Sequence, residues 1–371
     1  MKIAIDGYEA NTSQRLGSSQ VGFELLKCFE KDQTNEYTIF LPEKPLADLP
    51  MMREGFRYKI LRPKRLWTRI ALPLALYSKK KDYDLIFSPT HYIPRFSPVK
   101  RVVTIFDLSF LHFPQMFERN DLWKLKNWTK FSIDNADHII TISNFSKSDI
   151  IKKYGVSKEK ITVAYPGFNR EVFKPVTNES EINSTLKKYQ LKDNYIIYIG
   201  TVQPRKNLVR LMEAVARVKD ISLVIVGKTT GEGKEGWMYE ETLAAPKQLG
   251  IENRVKFLGF VPTEDLAYLL SGALALVQPS LWEGFGIPVV EAMACSVPVL
   301  VSNVSSLPEV VGKAGLTFDP YSIDQIEQAI RTILTDKKLK LKYKKAALER
   351  SKDFSFEKMA RTILKSFGQL V

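Results

Sequence analysis

Short apolar runs alternate with amphipathic stretches along most of the chain. The runs are rich in Ile, Val, Leu and aromatic residues, as are the buried strands of parallel sheets. They predict strands at Lys2–Asp6, Tyr37–Leu41, Arg57–Leu61, Leu85–Ser88, Val102–Phe106, His138–Ile142, Ile161–Ala164, Tyr195–Gly200, Ser222–Val226, Val255–Leu258, Leu274–Gln278, Pro298–Val301 and Leu316–Phe318. Apolar residues at helical spacing predict helices at Gly22–Lys31, Leu122–Asn135, Ser146–Tyr154, Asn207–Val218, Glu240–Leu249, Glu264–Ser271, Ile287–Cys295 and Ile323–Leu334. This alternation predicts an α/β protein whose parallel sheets are covered by helices on both faces.

The alternation breaks between Pro166 and Leu191, where Pro, Asn, Ser and Glu are frequent and predict a linker with one short helix. A chain of 371 residues is also longer than one ordinary hydrophobic core supports. We therefore predict two doubly wound, Rossmann-like domains, at residues 1–176 and 190–353, that face each other across a cleft. Ligands of such sheets bind beyond the carboxyl ends of the strands, so the loops there are expected to form the site.

The segment from Ser280 to Glu291 carries the clearest candidate chemistry. It follows a predicted strand, passes through a glycine-flanked loop that contains Glu283, and opens a helix in which Glu291 lies about two turns along. The unpaired amides and the dipole at the start of such a helix attract anions. Pro288 fits the first helical turn, where its missing N–H costs nothing. We predict that a sugar nucleotide binds here, with Glu283 at the sugar and Glu291 at a ribose.

A second candidate segment, Gly200 to Asn207, follows the strand that begins at Tyr195 and ends at a predicted helix. It contains two adjacent cations, Arg205 and Lys206. Positive residues at a helix N-terminus oppose its dipole, so their presence favours a nearby anion over a merely solvated helix start. Such a pair can neutralise a departing diphosphate.

The formal net charge of +14 is concentrated in the first half of the chain, where residues 51–100 hold 12 Lys/Arg against 3 Asp/Glu. The densest part, residues 62–81, places basic clusters on both sides of the apolar run Ile70–Tyr77. Basic ends around Trp, Leu and Tyr favour an anionic membrane surface as partner, while a solvated face is the simpler alternative. Nucleic acid is not expected, because no recognisable binding motif accompanies the charge.

The chain starts directly with a predicted strand, which leaves no room for a signal peptide. The run Ile70–Tyr77 is far too short to span a bilayer. With two cysteines, Cys28 and Cys295, no disulfide framework is expected. We therefore expect a cytoplasmic protein, held at the inner face of the cell membrane if the basic segment binds lipid.

Other patterns do not support a cofactor or metal site. Gly227–Lys234 resembles a P-loop, but its glycine spacing is wrong and no Ser or Thr follows Lys234. No dinucleotide fingerprint follows a predicted strand, which argues against hydride transfer. Asp82-Tyr83-Asp84 leads into an apolar run and is interpreted as a polar strand entrance. The three histidines, at 91, 112 and 138, have no spacing that indicates a metal.

Taken together these residues resemble the retaining glycosyltransferases of family 4, also called group 1, which have the GT-B fold. The segment from Pro279 to Cys295 is similar to the family's two-glutamate signature, and Gly200-Thr201 with Arg205-Lys206-Asn207 is similar to its diphosphate-binding segment. Matching segments in the first half are Val103–Phe110, Ile140–Ser146 and Val163–Phe168. The resemblance covers nearly the whole chain. It also implies that a last helix, within residues 354–371, returns to pack on the N-terminal domain.

The resemblance implies roles for particular residues. Glu283 would contact the donor sugar, and Arg205 and Lys206 the diphosphate, with Asp107 completing the catalytic set. Donor-binding residues would be Gly200, Thr201, Phe260, Val261, Gly284, Phe285, Gly286, Glu291 and, from the N-terminal domain, Gly17. The family transfers with retention of anomeric configuration and needs neither metal nor cofactor.

The segments around Leu66–Leu74, Ser88–His91 and Asp107–Phe110 are closest to a mannosyltransferase-like subgroup, which favours GDP-mannose as donor and a glycan, expected to be lipid-linked, as acceptor. One departure stands out, because Phe106 occupies a position where many members have His, and Phe cannot donate a hydrogen bond. Phe106 therefore leaves open, as an alternative to transfer, a non-catalytic nucleotide-sugar-binding protein. A separate alternative is a soluble transferase with a small-molecule acceptor.

Overall fold

A computed structural model describes residues 1–15, 17–192, 194–228 and 240–371. The strands are β1 (Lys2–Asp6), β2 (Glu36–Leu41), β3 (Phe56–Ile60), β4 (Leu85–Ser88), β5 (Lys100–Ile105), β6 (His138–Thr141), β7 (Ile161–Val163), β8 (Tyr195–Ile199), β9 (Ser222–Val226), β10 (Val255–Gly259), β11 (Ala275–Gln278), β12 (Val299–Ser302) and β13 (Leu316–Phe318). The helices are α1 (Ser18–Lys31), α2 (Leu72–Ser78), α3 (Ser109–His112), α4 (Arg119–Asn135), α5 (Asn144–Tyr154), α6 (Glu179–Lys188), α7 (Leu208–Arg217), α8 (Glu240–Gln248), α9 (Thr263–Gly272), α10 (Ile287–Ala294), α11 (Leu307–Val311), α12 (Ile323–Thr335), α13 (Lys337–Ser351) and α14 (Phe356–Phe367).

The described residues divide into two compact units. Unit 1 comprises Met1–Leu108, Arg119–Gly167 and Ser355–Val371, and unit 2 comprises Ser109–Glu118 and Phe168–Phe354. Each unit contains one all-parallel sheet, with strand order β3-β2-β1-β4-β5-β6-β7 in unit 1 and β10-β9-β8-β11-β12-β13 in unit 2. The predicted α/β class with two Rossmann-like halves is confirmed.

Strand order reverses once in each sheet. In unit 2 the chain builds β8, β9 and β10 toward one edge, then returns to place β11 beside β8 and continues to β13. Crevices open at the carboxyl ends of strands where the order reverses in this way, and such crevices bind ligands in doubly wound folds. The predicted segments that begin at Gly200 and Pro279 are the loops that leave β8 and β11, so they lie at this point of unit 2.

The C-terminal helix α14 belongs to unit 1, as the family resemblance implied. It begins at a Ser355 cap, whose side chain accepts from the Lys358 amide, and packs against α1. Phe367, fully buried, lies with its ring centroid 5.2 Å from that of Phe87 on β4. The chain passes from unit 2 into unit 1 at Ser355. The backbone of Gly167 lies so close to the start of α14 that a Cβ there would be 2.2 Å from the Phe356 nitrogen.

The basic segment 62–81 folds into a helical element that the apolar run alone did not define. A π-helical turn, Trp67–Ala71, leads directly into α2. Trp67, Leu72 and Leu76 are buried in a core cluster that also contains Ala4 and Ile86 of the sheet. Four large apolar side chains of the same segment stay exposed, namely Leu66, Ile70, Leu74 and Tyr77. The run is therefore amphipathic rather than wholly buried.

Sequence-based bounds differ from the structural ones by a few residues. The largest difference is at α1, which begins at Ser18 instead of Gly22 because its first turn carries polar residues that give no periodic signal. The P-loop-like stretch Gly227–Lys234 lies mostly outside the described residues.

Candidate active site

The loops after β8 and β11 are held together by Asn207. Its side-chain amide donates to the carbonyl of Pro279 at 3.0 Å and to that of Pro320 at 2.7 Å. Asn207 has φ of 60°, a conformation that Asn tolerates better than most residues. It directly follows a short 3-10 turn, Pro204–Lys206. The two cations of that turn are thereby placed beside the Glu283 loop.

Glu283 is the centre of a buried network. Its Oε1 accepts hydrogen bonds from Lys206 Nζ at 2.6 Å, Gln278 Nε2 at 2.7 Å and Ser280 Oγ at 2.8 Å. Arg205 approaches the other oxygen, Oε2, with Nη1 at 3.8 Å, which is an ion pair without a hydrogen bond. These three hydrogen bonds all go to Oε1, which leaves Oε2 with the Arg205 ion pair.

The surroundings of Glu283 keep it ionised. Burial by itself raises the pKa of a carboxyl, but the charges of Lys206 and Arg205, with the hydrogen bonds from Lys206 and Ser280, lower the pKa of Glu283 to about 2. The carboxylate is therefore ionised at neutral pH and acts only as a hydrogen-bond acceptor.

Serines of the following loop fix the backbone from Glu283 to Gly286. Ser305 Oγ accepts from the Glu283 amide at 3.0 Å, and Ser306 Oγ donates to the carbonyls of Glu283 and Phe285 at 2.9 and 3.2 Å. Gly286 has φ of 100° and precedes α10. Glycine adopts this left-handed conformation without strain, which lets the loop turn into the start of α10.

Glu291 lies in α10 in an environment opposite to that of Glu283. Burial without a counter-charge raises the pKa of Glu291 to about 8. Its carboxyl is therefore mostly protonated at neutral pH. Hydrogen-bond donors that approach it would favour ionisation.

The remaining predicted residues occupy different places. Gly200 has φ of 153°, and a Cβ there would lie 2.6 Å from Tyr198 Oη, while Thr201 accepts from that hydroxyl at 3.4 Å. Beyond β10, Phe260 is exposed and Val261 is buried. Asp107 and Gly17 belong to unit 1, where Gly17 precedes α1 with φ of 57°. The structure thus brings Glu283, Arg205 and Lys206 into direct contact within unit 2.

Phe106 also belongs to unit 1, at the end of β5. Its ring centroid lies 5.4 Å from that of His91, and its carbonyl accepts from Ser146 Oγ at 2.8 Å. Phe106 is therefore part of a small aromatic contact that includes an imidazole.

Several residues of the site were not assigned a role from sequence. Gln278 and Ser280 orient Glu283, and their polar character at the end of a buried strand was the available signal. His112 of α3 stacks on Trp282, the neighbour of Glu283, with centroids 4.0 Å apart and planes 27° apart. No local pattern could indicate that stack, because its partners are far apart in sequence.

Within the described ranges, no group of three or more His, Cys, Asp or Glu side chains is arranged to hold a metal ion. No helix there has the length and apolar character needed to cross a bilayer.

Comparison with known proteins shows that the chain is a glycosyltransferase. Residues 181–350 match the family model for glycosyl transferases group 1, and residues 17–172 match that for glycosyltransferase family 4. The O-antigen chain mannosyltransferase B of Escherichia coli is 33% identical over 323 residues, covering 86% of this chain and 81% of that protein. O-antigen chain mannosyltransferase RfbU of Salmonella typhimurium is 29% identical, over 71% of this chain and 68% of its own length. The chain belongs to the group 1, family 4 glycosyltransferases.

Solved structures share the fold. Anabaena HepE, crystallised with UDP and glucose, superposes with a TM-score of 0.78 at 22% identity, over 99% of both chains. Sucrose-phosphate synthase from Thermosynechococcus elongatus gives 0.77 at 21% identity, over 99% of this chain and 98% of its own. At these identities the likeness shows the GT-B fold.

Proposed function

We propose that the protein transfers a hexose, with retention of anomeric configuration, from a nucleotide diphosphate sugar to a glycan acceptor that is lipid-linked. The observation that carries this proposal is the contact of Glu283 with Lys206 and Arg205 at the switch point of unit 2. One carboxylate oxygen is held by the protein and the other is available to a sugar, while two cations lie beside it. This arrangement is complementary to a sugar joined to a diphosphate, because the carboxylate can accept from sugar hydroxyls and the cations can bind phosphate oxygens.

The reaction breaks the bond between the anomeric carbon and the diphosphate oxygen and forms a bond from that carbon to an acceptor oxygen. The diphosphate leaves with the bonding electron pair, and the acceptor hydroxyl gives up its proton to the departing diphosphate. Arg205 and Lys206 stabilise the negative charge that develops on the leaving group. Since an ammonium has three donors, Lys206 can bind Glu283 and a phosphate oxygen together. Two cations in this role support a mechanism without a metal ion.

Mannose is the favoured sugar and GDP-mannose the favoured donor. The support is the name of the Escherichia coli relative, an O-antigen chain mannosyltransferase, at 33% identity over most of both chains. Assembly of a surface polysaccharide is the corresponding process for this chain. Glu291 would bind the ribose, and residues near Phe260 and Val261 would receive the base, as the family resemblance implies.

Release of nucleoside diphosphate tests the proposed activity. The purified protein, incubated with GDP-mannose, UDP-glucose and dTDP sugars plus a lipid-linked glycan extract, is expected to release GDP most rapidly. Glu283→Gln, which keeps the side-chain size, should lower turnover at least about 100-fold, whereas exposed Glu264→Gln on α9 should leave it unchanged. Binding without release of any diphosphate would identify a non-catalytic binding protein.

Two measurements test the mechanism. Turnover that persists in EDTA would support transfer without a metal ion, and a product whose anomeric NMR coupling matches that of the donor would support retention.

We also propose that the basic segment 62–81 holds the protein at an anionic membrane surface, as a peripheral protein of the inner face. Leu66, Ile70, Leu74 and Tyr77 are 53%, 37%, 64% and 55% exposed, and their spacing of three or four residues places them along one helix face. Basic side chains flank this face at both ends: Arg62, Lys64, Arg65, Arg69, Lys79, Lys80 and Lys81. Apolar side chains that can enter the headgroup region and cations at its rim fit an interfacial helix.

Flotation with vesicles tests this surface. Vesicles that contain phosphatidylglycerol should carry the protein at low salt and release it as salt rises. Leu74→Glu should reduce the bound fraction several-fold. Exposed Leu341→Glu on α13 carries the same substitution away from this face and should not reduce it. Equal effects of the two substitutions would contradict the proposal.

A further inference from the structure

Asn207 directly precedes α7 but does not cap it. Asn is among the best N-cap residues, because its side-chain oxygen usually accepts a hydrogen bond from an amide of the first helical turn. The side chain of Asn207 makes no such bond. Its Oδ1 instead accepts from Nη1 of Arg210, in the first turn of α7, at 2.6 Å. The start of α7 therefore gives up a stabilising cap for a contact between two side chains.

Arg210 is itself unfavourable for the start of this helix. A cation in the first turn opposes the helix dipole, and no acidic residue of that turn compensates it. Nη1 of Arg210 donates to two uncharged acceptors, Asn207 Oδ1 and, at 3.3 Å, the Pro320 carbonyl. Two local choices that weaken one helix start are expected where a functional site, rather than the helix, determines the residues.

The Asn207 amide has one orientation that satisfies all of these partners. The guanidinium of Arg210 can only donate, whereas the carbonyls of Pro279 and Pro320 can only accept. The amide oxygen must therefore face Arg210, and the amide nitrogen must face the two carbonyls, to which it donates at 3.0 and 2.7 Å. Asn207 is 7% exposed, so without Arg210 its oxygen would be a buried acceptor that has lost its donor. Arg210 supplies that donor and thereby fixes the plane of the amide.

This amide joins the loops that leave three strands, β8, β11 and β13. In the β8 loop, Asn207 directly follows Lys206. In the β11 loop, Pro279 directly precedes Ser280, whose hydroxyl donates to Glu283 at 2.8 Å. A displacement of the amide would therefore shift the two sides of the contact between Lys206 and Glu283 relative to each other.

We propose that Arg210 is a positioning residue of the transfer reaction. Through the Asn207 amide it holds the turn that carries Arg205 and Lys206 against the Glu283 loop. The inference rests on the proposed function for the roles of these two cations. Negative charge grows on the diphosphate as its bond to the sugar breaks, so misplaced cations weaken the transition state and the released diphosphate more than the bound donor. Arg210 should therefore affect kcat more than the KM for the donor.

Steady-state kinetics of Arg210→Met test the proposal. Methionine cannot donate a hydrogen bond, so kcat should fall at least about tenfold while the KM for the donor changes less than about threefold. Arg210→Lys, which restores a donor for Asn207 Oδ1, should recover most of kcat.

Arg217→Met is the matched control. Arg217 lies in the last turn of the same helix and donates to the exposed Asp324 at 2.6 Å, so its substitution removes the same charge away from the loops. It should leave kcat within about twofold of wild type. Equal losses of kcat in Arg210→Met and Arg217→Met would overturn the proposal.

A double-mutant cycle tests whether Arg210 acts through Asn207. Asn207→Gly removes the amide and tolerates the left-handed φ of 60°. It should lower kcat at least as much as Arg210→Met does, and adding Arg210→Met to it should cause little further loss. Losses that multiply in the double variant would show that Arg210 acts on the donor independently of Asn207, which would overturn the proposal.

Nucleotide binding gives a readout that needs no turnover. GDP and UDP are both titrated by calorimetry, so that the base is not assumed. For the nucleotide that binds more tightly, Arg210→Met should raise Kd about fivefold or more, and Arg217→Met should leave it unchanged. Because these titrations do not depend on transfer, failure of this proposal and failure of the proposed function are distinguishable. A lower melting temperature of Arg210→Met with unchanged kcat and Kd would make Arg210 a residue of stability alone and would overturn the proposal.

Discussion

Glu283 and Glu291 belong to one sequence motif, yet their surroundings drive them into opposite protonation states. Lys206 and Arg205 lower the pKa of Glu283 to about 2 despite its burial. Glu291 is surrounded by the apolar residues of α10 without such a cation, and desolvation raises its pKa to about 8. Two carboxyls with separated pKa values can perform different tasks at one pH.

We predict that nucleotide binding depends on pH through Glu291. Ribose hydroxyls donate to a carboxylate, so the bound state favours ionised Glu291 and binding releases a proton. Affinity for a ribonucleoside diphosphate should therefore rise as pH increases from about 6.5 to about 8.5. Glu291→Gln should bind several-fold more weakly at high pH and show a flatter profile. Titration calorimetry in two buffers of different ionisation enthalpy measures the proton release directly. A profile identical in both proteins would contradict the role of Glu291.

Lys206→Met tests how strongly the buried pair is coupled. Removing the ammonium leaves the Glu283 carboxylate buried without its nearest counter-charge. The expected cost is about 3 to 5 kcal/mol in the free energy of unfolding, because an uncompensated buried charge remains. The double variant Lys206→Met/Glu283→Gln removes both charges and should recover a large part of that loss. Urea unfolding of wild type, Lys206→Met, Glu283→Gln and the double variant measures the four free energies of unfolding. A loss in the double variant equal to the sum of the two single losses would show that the residues do not interact.

At the scale of elements, the alternating pattern predicted the strands well because parallel strands buried on both faces are continuous apolar runs. The element before α2 shows where prediction from sequence stops. Its apolar run was visible, but its π-helical turn depends on burial of Trp67, whose Nε1 donates to Asp6 at 2.9 Å across 61 positions of sequence. The roles of Gln278 and Ser280 likewise depend on where their side chains meet Glu283 in space. Local pattern predicts the elements and the residue types of the site, and tertiary contacts determine its geometry.

The turn that opens α10 gives a test at this scale. Gly286→Ala places a Cβ at φ of 100° and 2.9 Å from Leu307 Cδ2, so both strain and crowding should displace the Glu283 loop. We expect a loss of about 2 to 3 kcal/mol in the free energy of unfolding and at least tenfold in turnover. Gly250→Ala is the matched control, because Gly250 also has positive φ, 64°, but an open Cβ position. It should cost about 1 kcal/mol and leave turnover unchanged. Equal effects on turnover would contradict the role of the turn.

At the scale of the whole molecule, the free energy of unfolding depends on pH through Asp6 of unit 1, at the carboxyl end of β1. Its Oδ1 accepts from Trp67 Nε1 and from the Tyr8 amide at 3.1 Å, but burial raises the pKa of Asp6 from 3.8 to about 7. The folded state therefore prefers the protonated carboxyl. The stability that this preference contributes is complete below pH 3.8 and is lost as pH rises through about 7.

Asp6→Asn should remove this dependence, because an amide oxygen can accept the same two hydrogen bonds and does not ionise. Relative to wild type, the variant should gain stability as pH rises from about 4 to about 7, by at most roughly 4 kcal/mol, and the difference should stay constant above that. Calorimetric melting at several pH values measures the difference. Asp48→Asn should show the opposite pH dependence. The hydrogen bond from Arg15 lowers the pKa of Asp48, so the stability that Asp48 contributes is lost as pH falls. A pH-independent difference between wild type and Asp6→Asn would contradict the assignment.

The return of α14 to unit 1 has a consequence for biosynthesis. Phe168–Phe354, nearly all of unit 2, leaves the ribosome before Ser355–Val371, while most of unit 1 has already been made. Until Ser355–Val371 has been made, the surface of α1 and β4 on which α14 packs is exposed to solvent or to chaperones. The half of the protein that is translated first is therefore the half that is completed last.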